Sequence, residues 1–374
     1  MAVDSSIQRI TRLTPLSAIL ALIDARVGAV APQKSAVALT LGCTLAEDVV
    51  VSKLPPVSMA LRDGFAVEAG AIADAGPYSP VPLASKPQRV DAGEPLPDGT
   101  DAVAPFDAVN ARVDRDEAVA AVSPGEGALP AGGDCTPRTP LRRAGESVRA
   151  IDIAVIAATG VAEVTVRSPC IRIARGSAAN DPPIDIAREM LAHAVTASGC
   201  TVRERQREGE GLDRALADES ADAVIALGGT GSGRRDAAVK TLARLGQVEA
   251  HGIAVSPGET AAFGFAGAKP VLLVPGRLDA ALAIWLLIGR YLVAKLAGGS
   301  IADMPVTLPL KRKVTSTIGL TELVPVSCAG GVAEPLASGY LSLESLARSD
   351  GWIVVPAESE GFAAGTPVAV RAWP

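Results

Sequence analysis

Aromatic side chains are scarce in this sequence, at 3% of the residues, although 48% of the residues are hydrophobic. The cores must therefore be built mainly from Ala, Val, Leu and Ile. With 374 residues, the chain exceeds the size at which a single core stops growing, so we expect two to four domains.

Cysteine and histidine are also few. The five cysteines are scattered without a Cys-x-x-Cys pair, and only two histidines are available to join them. This spacing argues against both a zinc site and a disulfide framework.

Excess positive charge and long apolar runs are both missing. The net charge of −6 and the pI near 5.2 provide no general attraction for nucleic acid or acidic lipid. The longest apolar segment, residues 279–299, contains Arg290 and Lys295 and is too short between charges to span a membrane. The N-terminus carries Asp4 and an interrupted apolar pattern, which indicates a helix and not a secretion signal. We expect a cytoplasmic protein that binds neither nucleic acid nor membrane.

The texture of the sequence changes along the chain. Apolar residues at helical spacing over 15–30 open an N-terminal domain, and residues 150–166 indicate a helix that stops at Gly160 before a strand. From about 50 to 140, short β-prone runs broken by Pro and Gly predict an inserted β-rich module. Past Gly299 the chain is again strand-like and turn-rich, which predicts a small C-terminal β-barrel or sandwich.

Residues 169–246 alternate between strand and helix patterns, which predicts a parallel sheet covered by helices. We expect Asp181 to cap the first of these helices and Pro182 to lie in its first turn. A glycine-rich loop, "GGTGSGRRD" at 228–236, follows the apolar strand "DAVIAL" and precedes another helix.

The position of the glycine loop suggests a ligand. In open parallel sheets, ligands bind beyond the carboxyl ends of the strands. Glycines let the backbone approach a ligand, and unpaired amides at a helix start favour an anion such as phosphate. The spacing matches neither the P-loop nor the Gly-x-Gly-x-x-Gly fingerprint, so no ordinary nucleotide is predicted. A tight turn without a ligand explains the loop equally well.

Further motifs, taken with this loop, resemble the MoeA family of molybdopterin molybdenumtransferases in their order along the chain. These motifs are "PPVSMALRDGFAV" at 55–67, "AGEPLPDGTDAVAPFD" at 92–107, "VSPGET" at 255–260, "VPGRLDAALA" at 274–283 and the C-terminal segment 337–370. Collinear matches over nearly the whole chain are far more specific than any one of them.

The resemblance implies an α/β plus β multidomain fold. Its expected parts are an elongated N-terminal linker domain at 1–50 and 140–168, an inserted β-rich module at 51–139, a MogA/MoaB-like parallel α/β molybdopterin-binding domain at 169–299, and a C-terminal small β-barrel at 300–374. It also implies a homodimer whose site lies at the subunit interface. That site would take molybdopterin or its adenylylated form, use Mg²⁺, insert molybdate and release AMP. A molybdoenzyme or another cofactor-biosynthesis protein is a further possible partner.

Three aspartates occupy family positions. The resemblance gives catalytic roles to Asp63, Asp134 and Asp236, and makes Asp63 and Asp236 candidate ligands of Mg²⁺, a metal that prefers carboxylate and phosphate oxygens. Each alone would pass for an ordinary turn or helix-start residue. The residues expected to bind molybdopterin are Gly228, Gly229, Thr230, Gly231, Ser232, Gly233, Pro257, Gly258, Pro275 and Gly276.

Several other family positions are substituted. "ARGSA" at 174–178 replaces a segment with an acidic pair, and Ser256 and Glu259 replace two lysines. These changes remove a metal or substrate contact and positive charge near a negatively charged ligand. Further departures are Ala92 for a threonine and Arg277 with Leu278 for an Asn-Pro pair; candidate replacement cations are Arg175, Arg234, Arg235 and Arg277.

Three functions stay open at this point. The first is molybdenum cofactor biosynthesis with insertion of molybdate, and the second is a non-catalytic molybdopterin carrier or scaffold with an eroded site. The lost acidic and lysine positions favour the second. An unrelated α/β binder of sugar phosphates or nucleotides would explain the glycine loop but not the order of the motifs.

Overall fold

The computed structural model describes residues 10–110, 115–176, 181–203, 211–233, 236–301 and 303–373. The chain divides into two compact units. The first comprises Met1–Glu47, Ala144–Ile153 and Glu163–Pro374, and the second comprises Asp48–Arg143 and Ala154–Ala162. The second unit covers the segment in which the sequence predicts a β-rich insertion, while the four domain boundaries themselves stay a prediction.

The N-terminal segment of the first unit starts with a helix, as its apolar spacing predicts. Helix α1 (Leu16–Arg26) follows Pro15 and buries Ile19 and Ile23. Strands β1 (Gln33–Ala36) and β2 (Thr44–Leu45) come next. Asp4 lies outside the described residues.

The second unit consists of short antiparallel strands. They are β3 (Met59–Ala60), β4 (Gly64–Val67), β5 (Val81–Pro82), β6 (Gln88–Val90), β7 (Ala102–Ala104), β8 (Val109–Asn110), β9 (Glu117–Ala118) and β10 (Ala128–Leu129). They form the sheets β6-β4-β7, β5-β9-β8 and β10-β3. The two small cores of the unit are built mostly from Ala and Val, in line with the scarcity of aromatic residues.

The chain then passes through helix α2 (Ala150–Ala158) to strand β11 (Glu163–Arg167). Gly160 lies between them with φ +81°, a left-handed conformation that suits glycine. β11 pairs antiparallel with both β1 and β2. The predicted order of helix, glycine stop and strand is confirmed.

The α/β domain of the first unit contains the glycine loop. Its strands are β12 (Cys170–Arg175), β13 (Thr201–Arg203), β14 (Ala223–Leu227), β15 (Gln247–His251), β16 (Val255–Ser256), β17 (Ala262–Ala266) and β18 (Lys269–Val274). Its helices are α3 (Pro182–Ala197), α4 (Leu212–Ala217), α5 (Ala238–Leu245), α6 (Leu278–Ile284) and α7 (Arg290–Leu296).

The central sheet has the order β13-β12-β14-β18-β17-β15. The first four strands are parallel, whereas β17 and β15 are antiparallel. The parallel sheet predicted over residues 169–246 is confirmed for β12, β13 and β14, and the antiparallel strands β15 and β17 lie beyond that range. Gly267, with φ +63°, closes a connection of two residues between β17 and β18, and so short a link permits only antiparallel pairing.

Two predicted helices flank the sheet that carries the glycine loop. Asp181 occupies the cap position of α3 and Pro182 its first turn, but the Asp181 side chain makes no capping hydrogen bond. The predicted cap is therefore correct in place and wrong in contact. The apolar segment 279–299 is a buried core helix, as predicted, and a π-helical turn over Trp285–Gly289 separates α6 from α7.

The C-terminal part adds β19 (Val306–Pro309), β20 (Val314–Thr315), β21 (Thr321–Ser327), β22 (Glu334–Pro335), α8 (Leu343–Ala347), β23 (Gly351–Val355), β24 (Gly361–Phe362) and β25 (Pro367–Ala372). Strand β16 pairs parallel with β21, with Ser256 opposite Glu322. The loop after β16 is thereby attached to the C-terminal sheet. The α/β plus β multidomain fold is confirmed, while closure of a barrel stays a prediction. Within the described residues, no helix combines the length and apolar character needed to cross a membrane.

Candidate functional site

Three loops meet at the carboxyl ends of β12, β14 and β18, where Gly176, Gly228 and Gly276 follow the strands. A Cβ atom on Gly176 would lie 2.0 Å from the carbonyl oxygen of Gly228, and one on Gly276 would lie 3.5 Å from the Gly228 Cα. Gly176 donates its N–H to the carbonyl of Leu227 at 2.7 Å. The two loops therefore approach so closely that position 176 requires glycine, whether or not a ligand binds.

The glycine loop is held at its start and open at its middle. Gly228 and Gly229 have φ +82° and +72°. Thr230 is buried; its hydroxyl lies 3.1 Å from that of Thr260, and its carbonyl oxygen lies 2.9 Å from the His251 Nε2. Ser232 and Gly233 are exposed. This arrangement presents the loop's second half to solvent on a fixed base.

Asp236 closes the glycine loop. Its Oδ2 accepts the N–H of Gly233 at 2.7 Å, and its own N–H donates to the carbonyl of Gly233 at 3.0 Å. A Cβ atom on Gly231 or Gly233 would lie 2.7 or 2.9 Å from the same carboxylate oxygen. These two glycines therefore make room for Asp236 itself. Arg234 and Arg235 lie outside the described residues.

The loop after β16 carries Pro257 and Gly258, both of which are buried. Gly258 has φ +135°, and a Cβ atom there would lie 2.8 Å from the Ile284 Cδ1. Its N–H donates to the Glu259 Oε2 at 3.1 Å. Pro257 and Gly258 form part of the scaffold, and Glu259 is the half-buried charged residue of this loop.

The loop after β18 presents Arg277 to solvent. Pro275 is buried, while the Arg277 side chain is 61% exposed. Its Nε donates to the Asp279 Oδ1 at 3.1 Å and its Nη2 to the Asp279 Oδ2 at 2.5 Å. The hydrogen bonds to Asp279, helped by the negative charges of Asp279 and Glu259, raise the pKa of Arg277 above its ordinary value.

Arg175, which stands where the family has its acidic segment, is already paired. Its Nε and Nη2 donate to the two carboxylate oxygens of Asp185 in α3, at 2.8 and 2.6 Å. A bidentate pair of this kind fixes the plane of the guanidinium. The same Asp185 carboxylate also lies 3.6 Å from the Arg188 Nε, so one negative charge faces two arginines. Gly176 is described above, while Ser177 and Ala178 lie outside the described residues.

Asp63 and Asp134 lie in the second unit, whereas Asp236 lies in the first. Asp63 is exposed between β3 and β4, and its Oδ1 accepts the N–H of Ala92 at 2.8 Å. Asp134 is exposed in the loop after β10, where its N–H donates to the carbonyl of Leu54. Both therefore occupy turns with carboxylates at the surface, and their predicted catalytic roles stay predictions.

The described residues contain no group of three or more His, Cys, Asp or Glu side chains that could hold a metal ion. Near the glycine loop, Asp236 and Glu259 each accept a backbone N–H from their own loop. Asp279 is buried and paired with Arg277. These carboxylates do not form a Mg²⁺ site by themselves.

Four residues of this site were not singled out from the sequence. Thr260 belongs to the "VSPGET" motif and Asp279 follows Arg277 by two positions, so motif position could have indicated both. His251, one of two histidines, had scarcity as its signal. Tyr340 lies in the C-terminal motif 337–370, but its place at the site had no local signal, because the tertiary fold brings its ring 5.0 Å from the Arg277 guanidinium carbon across 63 positions of sequence.

Three family models match consecutive parts of the chain. Residues 3–160 match the MoeA N-terminal region (domain I and II), and residues 307–373 match the MoeA C-terminal region (domain IV). Residues 179–295, which include the glycine loop, match the "Probable molybdopterin binding domain".

Curated relatives have matching names. A molybdopterin biosynthesis protein of Methanocaldococcus jannaschii is 34% identical over 150 residues, which is 40% of this chain and 36% of that relative. The molybdopterin molybdenumtransferase of Synechococcus elongatus is 25% identical over 85% of this chain and 88% of its own length. Molybdopterin molybdenumtransferase 1 of Mycobacterium tuberculosis is 26% identical, over 94% of this chain and 96% of its own.

Solved structures give the same answer over the full length. A crystal structure of the molybdopterin biosynthesis MoeA protein from Pyrococcus horikoshii superposes with a TM-score of 0.72 and 25% identity, covering 96% of this chain and 99% of that one. A second crystal structure of the Pyrococcus horikoshii MoeA protein superposes on this chain with a TM-score of 0.75 and 22% identity. The chain therefore belongs to the MoeA family of molybdenum cofactor biosynthesis proteins and contains that family's molybdopterin-binding domain.

Proposed function

We propose that this protein binds adenylylated molybdopterin at the glycine loop, inserts molybdate at the dithiolene and releases AMP. The observation that carries the proposal is the meeting of three loops at the carboxyl edge of the sheet. Ser232 and Gly233 are exposed there, while the start of their loop is held by the contact of Thr230 with Thr260. Relatives named molybdenumtransferases cover 85% to 94% of the chain, which supports the same reaction.

The backbone of the glycine loop is the proposed binding element for the substrate's phosphate. A glycine-rich turn at the carboxyl edge of a parallel sheet suits an anion, because its backbone comes close enough to a ligand to donate hydrogen bonds to phosphate oxygens. The contacts of Thr230 with Thr260 and His251 hold the start of the loop. The loop therefore needs little reorganisation when a ligand arrives, which favours binding.

We further propose that insertion is slower than in a relative with the full motifs. Ser256 and Glu259 stand at the two former lysine positions, and the Arg175 guanidinium is held in a bidentate pair by Asp185. Charge stabilisation in the transition state depends on such groups, and the loss of one costs about a hundredfold in rate. Binding through backbone amides does not depend on them.

The family resemblance predicts that the protein uses Mg²⁺, with Asp63 and Asp236 as the metal's ligands. Mg²⁺ usually keeps several waters and is bound by one or two carboxylates plus substrate phosphates. One oxygen of Asp236 is occupied by the Gly233 N–H, and the described residues form no cluster of three candidate ligands. No step of the proposed reaction is routed through the metal.

We also propose a cytoplasmic homodimer that passes its product to a molybdoenzyme or to another cofactor-biosynthesis protein. The described part of the second unit has small Ala- and Val-rich cores, and units of this size are often completed by oligomerisation. Sedimentation equilibrium at micromolar concentration is expected to give the dimer mass. A monomer under those conditions would refute this part.

A molybdopterin carrier without insertion activity is the second candidate. The replacement of the acidic segment by Arg175 favours it, because an arginine cannot ligate a metal ion as a carboxylate does. A single-turnover reaction of adenylylated molybdopterin separates the two functions. Molybdate-dependent release of AMP supports the transferase, and bound but unreacted substrate supports the carrier.

A further inference from the structure

The guanidinium of Arg277 is held in one orientation while most of its surface stays open. Nε and Nη2 bind Asp279, whose side chain is only 4% exposed. Nη1 has no hydrogen bond with any part of the chain that the structure describes. An arginine fixed on one edge and open on the other has donors ready for a planar or tetrahedral oxyanion.

Two buried carboxylates also fix the segment opposite Arg277. The Glu322 Oε1 accepts the N–H of Gly339 at 2.7 Å, and the Asp279 Oδ2 accepts the N–H of Leu341 at 3.3 Å. Between these anchors, Tyr340 is exposed and its ring lies 5.0 Å from the Arg277 guanidinium carbon. A guanidinium over a tyrosine face gains a cation–π contact that further restricts its motion.

The loop that carries Arg277 lies beside the glycine loop. Gly276, the neighbour of Arg277, packs against Gly228, and Thr260, the neighbour of Glu259, contacts Thr230. Glu259 is the acidic residue whose charge acts on Arg277 from the adjacent loop. Arg277 is therefore an oriented cation at the rim of the site, and Glu259 is a negative charge that opposes anions there.

We propose that Arg277, positioned by Asp279 and Tyr340, recognises a tetrahedral oxyanion of the substrate, either a phosphate group or molybdate. The proposal rests on the proposed function, because it assigns a ligand group to the same site. Asp279 and Tyr340 are positioning residues. Glu259 limits the affinity, because its carboxylate repels the same oxyanion.

The chain contains a closely matched control pair. Arg149 donates its Nε and Nη2 to the carboxylate of Asp152 at 3.0 and 2.8 Å, and the two side chains are 63% and 6% exposed. The Arg277–Asp279 pair has values of 61% and 4%. Arg149→Gln therefore leaves a buried aspartate without its arginine in the same way, but outside the three loops.

The test measures binding of sodium molybdate and of AMP, in separate calorimetric titrations, to the full-length wild type, Arg277→Gln and Arg149→Gln. We expect Arg277→Gln to weaken binding of at least one anion tenfold or more, and Arg149→Gln to leave both unchanged. The anion that loses affinity identifies the source of the oxyanion. Glu259→Gln is expected to tighten that anion severalfold, because a repulsive charge is removed.

Several results would overturn the proposal. They are unchanged affinities in Arg277→Gln, equal losses in Arg277→Gln and Arg149→Gln, an unchanged affinity in Glu259→Gln, or a wild type that binds neither anion at millimolar concentration. Titration of the wild type with adenylylated molybdopterin is measured separately. Failure there, with anion binding still controlled by Arg277, would refute the proposed function and leave this inference standing.

Discussion

Asp236 stands at the end of the glycine loop, and its carboxylate serves that loop directly. The Oδ2 accepts the N–H of Gly233, while Gly231 and Gly233 have no Cβ to collide with it. The same residue is the predicted catalytic group and metal ligand. A loop-closing role and a charge role can be separated, since asparagine keeps an acceptor oxygen but loses the negative charge.

We predict that Asp236→Asn binds molybdopterin within about threefold of the wild type, whereas Asp236→Ala binds about tenfold more weakly. A hydrogen bond that orders the loop is worth about 1.4 kcal/mol, which is a factor of about ten in affinity, and only the alanine variant loses it. Calorimetric titration with molybdopterin measures both. Equal weakening in the two variants would show that the charge of Asp236 is needed for binding.

Cys200 provides a pH-dependent prediction at the same scale. Burial raises the pKa of Cys200 from 9.0 to about 12, and the nearby Cys43, Asp222 and Cys170 act in the same direction. The folded thiol therefore stays neutral where the unfolded one ionises. Its contribution to stability is fully present below pH 9 and is lost as the pH rises towards 12, at up to about 1.4 kcal/mol per pH unit.

We predict that Cys200→Ala loses less stability than the wild type between pH 8 and pH 10, with a difference of about 1 kcal/mol. Other groups titrate alike in both proteins and cancel in the comparison. Urea unfolding at the two pH values gives the free energies of unfolding. Identical losses in the two proteins would mean that the Cys200 thiol ionises equally in both states.

The close approach of the two loops that follow β12 and β14 is the element-scale feature that supports the site. Gly176→Ala would place a Cβ atom 2.0 Å from the backbone oxygen of Gly228. Because that atom belongs to the backbone of the adjoining loop, we predict a loss of about 2–3 kcal/mol in the free energy of unfolding. Urea unfolding followed by circular dichroism measures it.

Gly28→Ala is the matched control for this prediction. Gly28 also lies in the first unit, its φ is outside the left-handed region, and no atom lies within 4 Å of a Cβ placed there. Its stability should stay within about 1 kcal/mol of the wild type, with an increase expected from reduced freedom of the unfolded chain. Equal losses in the two variants would contradict the packing account.

Hydrophobic periodicity and the positions of glycine and proline predict most elements of this chain, including α3 and the buried segment 279–299. The parallel prediction covers residues 169–246, and the direction of β15 and β17 beyond them is not predicted, because parallel and antiparallel strands have similar apolar patterns. The π-helical turn at Trp285–Gly289 has the same composition as the helices around it.

The candidate site was predictable in part. The glycine loop and its neighbouring motifs are local in sequence, so spacing identifies them. The pairs Arg175–Asp185 and Arg277–Tyr340 depend on how strands and loops pack. Sequence reasoning identified Arg175 and Arg277 as possible substitutes for lost charge, but only the structure shows that Arg175 is partly buried against Asp185 and that Arg277 is presented to solvent.

At the scale of the whole molecule, the predicted functional residues are shared between two units. Asp236 and the three loops belong to the first unit, and Asp63 and Asp134 to the second. Matches to the MoeA models run through both units, over residues 3–160 and 307–373, and the molybdopterin-binding model covers residues 179–295. The proposed reaction therefore requires the full chain, and experiments on an isolated α/β domain would test binding only.

The most direct test of the central claim is the rate of AMP release in a single turnover of adenylylated molybdopterin with molybdate. The Synechococcus elongatus molybdenumtransferase serves as the reference under identical conditions. We predict molybdate-dependent release that is about a hundredfold slower than the reference, because the loops that hold the substrate remain while charged groups around them have changed. No molybdate-dependent release, or a rate equal to the reference, would contradict the account.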